Sequence, residues 1–270
     1  MNHKITFVKI APDFEFAGVG FAGNIFIILN ALTYLQNNEK LFVDMATNEC
    51  VCTENKGENC WEYYFDQIKI SKNENYFEMN SLIAAKIYYD DRNMFMDPKN
   101  FEWLKNRFYN SFKLKENIND QILEYYNKNI KSKKTLGVQV RLTDMKHYHN
   151  VSPIESYINK INSILNEHRD IEQIFLATDD SKIISTLQKN INLPIIYHEN
   201  MFRADEKNLH LNPYDRFKSD RKNHRYILGI ECLKEIFTLS KCDYMLKADV
   251  SSISIVACIL SENIKKIYKL

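Results

Sequence analysis

Side chains able to do chemistry gather in the second half of the chain, where apolar runs stop. The run Thr135 to Val140 is followed by Arg141, Leu142, Thr143 and Asp144, so a buried strand ends in a cation, a hydroxyl and a carboxylate. An arginine there offers a rigid, permanently charged fork that matches a phosphate. Arg141 and Asp144 can equally cap the strand and pair with each other. A second run, Ile174 to Thr178, stops at Asp179 and Asp180. Adjacent acids at such a place cap the next helix or hold ligand hydroxyls; Asp179 is expected to cap, and Asp180 to face a ligand or a structural partner. Ser251 and Ser252 open a helix after a third run, Tyr244 to Leu246. Serine hydroxyls and the free N–H groups of a first helical turn form a seat for an anion. Glu235 carries a carboxylate suited to the N–H donors of guanine, although the helical pattern around it reads first as an exposed face.

The first half holds one further constellation. Gly18, Gly20 and Gly23 match a G-x-G-x-x-G spacing after a possible strand, open a helix at Asn24, and precede Asp44 at the end of the next strand. Glycines there let backbone N–H groups approach an anion, and the acid can hold a ribose. A lone match supports a phosphate-bearing ligand more than any one nucleotide, and a tight turn without a ligand gives the same residues.

The elements that must carry these residues follow from periodicity. Ile5 to Ile10 reads as a strand, with Phe14 to Ala17 as the alternative one leading into the glycines. From Asn24, Ile25, Ile28, Leu29, Leu32 and Leu35 recur at helical spacing. Leu41 to Asp44 is a second strand, and Trp61 to Phe65 an aromatic patch. Helices are expected at Ser81 to Tyr89, at Asn100 to Phe112 behind Pro98, and at Glu116 to Ile130. In the second half, Ser152, Pro153 and Glu155 read as N-cap, N1 and N3 of a helix to about Asn166. Strands at Ile174 to Thr178, Leu193 to Tyr197 and Tyr244 to Leu246 alternate with helices from His224 to Leu239 and from Ser251 to Leu260. Such alternation predicts an α/β fold with doubly wound parallel sheets. The chain is divided at residue 133 into domains 1–133 and 134–270.

Composition narrows the function classes. The 270 residues carry 36 Lys+Arg against 35 Asp+Glu, a net charge of +1, so no global field recruits nucleic acid or an anionic membrane. The basic run Lys131 to Lys134 is a solvated face. Cys50, Cys52 and Cys60 lack the paired spacing of a structural zinc site, and Cys232, Cys242 and Cys258 sit in apolar runs as small core residues. Reduced thiols are expected, with a Cys50–Cys60 or Cys52–Cys60 bridge as the alternative. Asp13 and Glu15 interrupt any secretory h-region. Phe16 to Leu35 is uncharged and long enough to imitate a membrane span, but its glycines, Asn24 and Asn30 divide it into a loop and an amphipathic helix.

The order of the second-half pieces resembles the α1,6-fucosyltransferases, including the nodulation enzymes and, more distantly, the protein O-fucosyltransferases. Those share His-Val-Arg-Arg-Thr-Asp, then Pro-Ile-Glu-x-Tyr, then Leu-Ala-Thr-Asp-Asp, then Leu-Ser-x-x-Asp, then Ser-Ser. Here stand Gln139 to Asp144, Pro153 to Tyr157, Leu176 to Asp180, Leu239 to Asp243 and Ser251 with Ser252, in order over about 120 residues. The first half is similar more loosely, through Gly20 to Asn24, Asp44 and Trp61 to Phe65. The resemblance implies a GT-B glycosyltransferase: two Rossmann-like domains across a cleft, an acceptor-side domain 1–133, and a domain 134–270 that holds a GDP-sugar. It implies an inverting transfer, of fucose or a related sugar, to a hydroxyl of a glycan or lipid-linked oligosaccharide, with no metal or other cofactor. Arg141 matches the arginine on the β-phosphate, Glu235 stands where an aspartate reads guanine, and Ser251 or Ser252 where a serine meets the diphosphate. Gly20, Gly23, Asn24, Gln139, Asp144, Asp179 and Asp180 complete the expected donor site.

This chain departs from that pattern at two motif positions. The motif histidine is Gln139, and the second arginine is Leu142, which removes a cation. The family's lysine and glutamate after the motif do not align; Lys146, His147, Tyr148 and His149 stand there, and His147 or His149 is the candidate base for the acceptor hydroxyl. Two other readings compete: an NAD(P)-dependent oxidoreductase built on Gly18 to Gly23, and a non-catalytic nucleotide-sugar-binding protein. A cytoplasmic location is expected, with no nucleic-acid partner, no membrane span, and peripheral membrane contact left open.

Overall fold

The computed structural model describes residues 6–10, 20–36, 39–46, 50–69, 76–79, 98–142, 151–203, 219–248 and 251–270. In chain order these form β1 (Thr6–Ile10), α1 (Phe21–Tyr34), β2 (Glu39–Val43), α2 (Trp61–Tyr64), β3 (Phe65–Asp66), β4 (Tyr76–Met79), α3 (Pro98–Ser111), β5 (Lys113–Leu114) and α4 (Glu116–Asn129). There follow β6 (Thr135–Val140), α5 (Ile154–Glu167), β7 (Gln173–Thr178), α6 (Ser181–Asn190), β8 (Ile195–Ile196), α7 (His224–Leu239), β9 (Tyr244–Leu246), α8 (Ser252–Ile259) and β10 (Lys266–Tyr268). Two compact units divide the chain: Met1–Asn119 with Ser219–Ile230, and Asp120–Lys218 with Glu231–Leu270. This division differs from the one at residue 133, because most of α4 belongs to the second unit and the start of α7 to the first. The alternative strand Phe14 to Ala17 and the helix Ser81 to Tyr89 lie outside the described residues.

The first unit carries a parallel sheet in the order β2-β1-β4. Val8 of β1 pairs with Leu41 on one side and Phe77 on the other; the short strand β4 was not anticipated from the sequence. Helix α1 is buried all round from Phe21 to Leu32 rather than along one stripe. Its residues are apolar or small on every face, which suits a central helix better than an amphipathic one. Its length of 14 residues gives about 21 Å, short of a bilayer core. Among the described residues, no helix is long and apolar enough to cross a membrane. The Arg107 guanidinium donates to the carbonyls of Leu32 at 2.6 Å and Leu35 at 2.8 Å, where the helix dipole favours a cation.

The aromatic patch is core. Trp61 stacks on Phe65 with centroids 4.3 Å apart, and Phe112 meets Trp61 edge-on at 5.0 Å. The Tyr64 hydroxyl donates to the Tyr226 carbonyl at 3.0 Å. Arg225 donates to the carbonyl of Cys50 at 2.8 Å, and Tyr226 N–H to the Glu54 carboxylate at 3.1 Å, so the loop between Cys50 and Cys60 is tied to the start of α7. All six cysteines are free thiols.

The second unit carries a five-stranded parallel sheet, β10-β9-β6-β7-β8. The chain enters at the centre, winds outward through β7 and β8, then returns to the other side of β6 with β9 and β10. Every residue of β6, β7 and β9 is buried, as expected of strands covered on both faces. One face packs Leu136, Val138, Val140, Ile174, Leu176 and Leu246 against Tyr157, Ile161 and Ile164 of α5 and Ile183, Ile184 and Leu187 of α6. On the other face a side chain at Gly137 would come within 3.1 Å of Leu239 and Cys242, which shows how closely the end of α7 approaches β6. Strand β10 was likewise not expected.

Local sequence explains most element ends, with small shifts. Helix α5 starts one residue later than the Ser-Pro-x-Glu pattern suggests, with Pro153 as the N-cap. The Asp243 carboxylate accepts from Thr135 N–H at 3.0 Å and lies 2.9 Å from Lys134 Nζ. This motif acid therefore fixes the amino end of β6, opposite the end that carries Arg141.

Candidate functional site

In an open parallel sheet a ligand sits outside the carboxyl ends of the strands, where the winding direction reverses. In the second unit that place lies between β6 and β9. The residues there are Arg141, just past β6; Lys247 and Ala248, just past β9; and Ser251 and Ser252 at the start of α8.

Arg141 Nε lies 3.7 Å from Asp179 Oδ2, linking the tips of β6 and β7. The two acids after β7 have the reverse of their expected roles. Asp180 is the N-cap of α6, its carboxylate accepting from Lys182 N–H at 2.8 Å. Asp179 instead faces Arg141. The helix begins at Ser181, so only the residue immediately before it can reach the second N–H of the turn.

Gln139 and Ser251 have a common property. Both are buried, and neither Gln139 Oε1 nor Ser251 Oγ has a hydrogen-bond partner among the described residues. Ser251 is the N-cap of α8, yet its hydroxyl makes no cap bond. Buried polar atoms are nearly always bonded, so an exception marks a place where a ligand or solvent completes the shell. Ser252, the first residue of α8, is also buried.

Glu235 is buried, which corrects its reading as an exposed helix face. Leu239 packs on Gly137; one turn back along α7, about 6 Å, brings Glu235 level with Gln139, two residues or about 6.6 Å further along β6. Burial pushes its carboxyl up to about 8, with Asp179 and Glu231 adding to the rise and Arg203 and Arg141 opposing it. A carboxyl held near neutrality inside a pocket is a functional signal when charge partners surround it.

Three residues of this region were not picked out from the sequence. Arg203 donates to the carbonyls of Thr178 and, at 2.8 Å, His198, and its guanidinium lies 5.5 Å from the Tyr197 ring centroid. Glu231 is buried one turn before Glu235 and accepts from Phe202 N–H at 3.2 Å. Lys247 is buried at the end of β9. Only Lys247 left a trace in the sequence, as a charge ending an apolar run. Arg203 sits in a polar stretch with no periodicity, and Glu231 looks like any helix-surface acid.

The first-unit candidates are placed separately. Gly20 is the N-cap of α1, with its carbonyl accepting from the N–H groups of Gly23 at 2.8 Å and Asn24 at 3.2 Å. The Asn24 amide donates to Cys50 Sγ at 3.2 Å. Asp44 lies 2.9 Å from Lys9 Nζ. Asp144, His147 and His149 lie outside the described residues, as do Gly18, Thr143, Lys146 and Tyr148.

No protein-family profile matches the chain, and no curated protein matches it significantly. Solved structures do. The NodZ α-1,6-fucosyltransferase soaked with GDP-fucose is similar with a TM-score of 0.58 at 13% identity, over 96% of this chain and 93% of that one. Arabidopsis thaliana FUT1 in complex with GDP gives 0.57 at 11% identity, over 100% and 72%. POFUT1 in complex with GDP gives 0.54 at 8% identity, over 97% and 98%. The chain has the α/β fold of these GT-B fucosyltransferases.

Proposed function

We propose that this chain, built on the fold of the fucosyltransferases, is an inverting glycosyltransferase that moves fucose from GDP-fucose to a glycan hydroxyl. The observation that carries this is the switch point of the second unit. A guanidinium, a helix N-terminus with a buried serine hydroxyl, a buried glutamine oxygen, both without a hydrogen-bond partner among the described residues, and a buried carboxyl gather there. These groups match the parts of a guanine nucleotide: a carboxylate for the N–H donors of the base, and a cation with helix N–H groups for the phosphates.

The chemistry follows from where charge develops. As the glycosidic bond opens, negative charge moves onto the β-phosphate, and Arg141 stabilises it at the tip of β6. The acceptor hydroxyl attacks the opposite face of the sugar while a base removes its proton, and His147 and His149 are the candidates for that base. The acceptor side is assigned to the N-terminal domain. No metal enters this scheme, since the departing diphosphate is neutralised by side chains and backbone dipoles.

The oxidoreductase reading is disfavoured by Asp44, whose carboxylate is engaged by Lys9 rather than offered to a ribose. The non-catalytic reading draws on Gln139 and Leu142, where motif residues are missing. Isothermal titration with GDP, GDP-fucose, UDP and NAD tests all three. GDP and GDP-fucose are expected to bind, and GDP-fucose to be slowly hydrolysed with release of GDP. Binding of NAD alone overturns the proposal, and donor binding without any turnover, with water or with glycan acceptors, reduces it to the non-catalytic form.

A further inference from the structure

We propose that Cys50 and Cys60 form a redox modification site, in which hydrogen peroxide converts the two thiols to a disulfide. The site lies in the first unit and does not depend on the GDP-sugar reading. Three of the six cysteines, Cys50, Cys52 and Cys60, are buried within one short loop. The backbone closes a tight turn there. Thr53 N–H donates to the Cys50 carbonyl at 3.0 Å, and Cys50 N–H donates to the Thr53 hydroxyl at 3.0 Å. That hydroxyl also hydrogen-bonds the Cys60 sulfur, so both ends of the loop are drawn to one side chain. Arg225 fixes the same turn from α7, donating to the carbonyls of Cys50 at 2.8 Å and Val51 at 3.3 Å.

The Cys50 sulfur is placed as the attacking group. The Asn24 amide donates to it at 3.2 Å, and the thiols of Cys52 and Cys60 hydrogen-bond to it as well. These bonds, that of Cys52 first, pull the Cys50 thiol well below its ordinary range against the opposing effect of burial. The thiolate, which is the reactive form, is therefore favoured at this sulfur. Cys60 is pushed the other way, first by its bond to Cys50 and then by burial, and keeps its proton. Cys50 is also the least covered of the three, 6% exposed against 1% for Cys52 and 0% for Cys60, so an oxidant meets it first and must be small. Cys52 stands only two residues from Cys50, and so short a bridge cannot take the preferred disulfide dihedral without strain. Cys60 comes to Cys50 from the far end of the loop and is the resolving partner. In the first step the Cys50 thiolate attacks one peroxide oxygen. An S–O bond forms, the O–O bond breaks, hydroxide leaves and takes up a proton as water, and Cys50 becomes a sulfenic acid. In the second step the Cys60 sulfur attacks the Cys50 sulfur. The S–S bond forms, the S–O bond breaks, and the departing hydroxide takes the Cys60 proton as water. Two thiols and one peroxide thus give one disulfide and two waters, the sulfurs oxidised and the peroxide oxygens reduced. Asn24 lies in the first turn of α1, so the change at its sulfur partner reaches the Gly20 to Asn24 turn.

The test treats the full chain with hydrogen peroxide, alkylates the remaining thiols during denaturation, and maps the peptides by mass spectrometry. The expected product is about 2 Da lighter, carries a Cys50–Cys60 cross-link, and returns to its starting mass with dithiothreitol. In Cys60→Ser no bridge is expected, and Cys50 should take up the sulfenic-acid trap dimedone. Cys60→Ala serves if the serine variant does not fold. Cys258, whose thiol burial pushes up to about 12, is expected to stay reduced throughout. Alkylation of both Cys50 and Cys60 after peroxide overturns the assignment, as does a bridge made through Cys52 or oxidation confined to the half-buried Cys232. Absence of dimedone from Cys50 in both Cys60 variants overturns its role as the attacking sulfur.

Discussion

Arg141 and Asp179 meet across neighbouring strand ends, Nε to Oδ2 at 3.7 Å. This ion pair joins the ends of two parallel strands; Asp144, which the sequence offers as another partner of Arg141, lies outside the described residues. Its effect is to hold the guanidinium at the tip of β6. A fork so placed binds a phosphate with less ordering cost than a mobile one.

Arg141→Ala is expected to weaken GDP binding by about ten- to a hundredfold, the range for a lost charge-assisted contact. Arg141→Lys keeps a charge but not the fork, and should recover only part of the loss. Titration calorimetry measures both. GDP binding that survives Arg141→Ala undiminished removes Arg141 from the donor site.

The two acids after β7 should separate. Asp180→Ala removes a helix cap and is expected to cost about 1 kcal/mol of stability, with GDP affinity within about twofold of wild type. Asp179→Asn removes the charge that pairs with Arg141 and should weaken GDP binding by severalfold with a smaller stability change. Urea denaturation combined with titration distinguishes the pair; a larger binding defect in Asp180→Ala reverses the assignment.

Stability and binding should depend on pH through two buried groups of opposite sign. Glu235 has a carboxyl pushed up to about 8 from 4.5, mainly by burial. Between those values the native protein keeps a proton that the unfolded chain has lost, so stability is whole at low pH and falls as pH rises. His198 is pulled down to about 4 from 6.5 by burial, helped by Lys234 and Arg203. Its contribution is whole above 6.5 and lost as pH falls toward 4. The two slopes oppose each other below 6.5 and leave the Glu235 slope alone from 6.5 to 8. Melting curves of Glu235→Gln should lack that decline, and those of His198→Asn should lack the acid loss. Because the guanine donors need an ionised acceptor, GDP affinity should climb by up to about tenfold per unit from pH 6 toward 8. A flat profile removes Glu235 from the base-reading role.

Gly229→Ala should reverse the usual sign of its kind. In an exposed helix the change stabilises by about 1 kcal/mol. At this position the added methyl collides with the Tyr64 phenol, a buried ring whose hydroxyl is bonded to Tyr226. Overpacking of this type costs about 1–3 kcal/mol. Chemical denaturation is the measurement, and pairing the change with Tyr64→Ala should remove the penalty specific to the methyl. An unaltered or raised midpoint in Gly229→Ala alone contradicts the packing described.

Strand–helix alternation in the second half was legible because each element carries its own period and its own stops. The helix His224 to Leu239 and the strand Tyr244 to Leu246 stand where the periodicity puts them. The ordered motif pieces also pointed to the fold that the solved fucosyltransferases share. Short elements without a period, β4 and β10, gave no such signal, since a few apolar residues fit strand and loop alike.

What the sequence determined by itself was therefore local: which segments are strands and helices, and which charges end them. It left open which way those charges face. Glu235 reads as surface until α7 is laid against Gly137. Asp179 and Asp180 exchange roles on a one-residue shift of a helix start. Gln139 and Lys247 become neighbours only when β9 is set beside β6, more than a hundred residues earlier in the chain. Burial and pairing between distant strands are properties of the assembled sheet, and the hydrogen-bond register that fixes them is written in no single stretch of sequence.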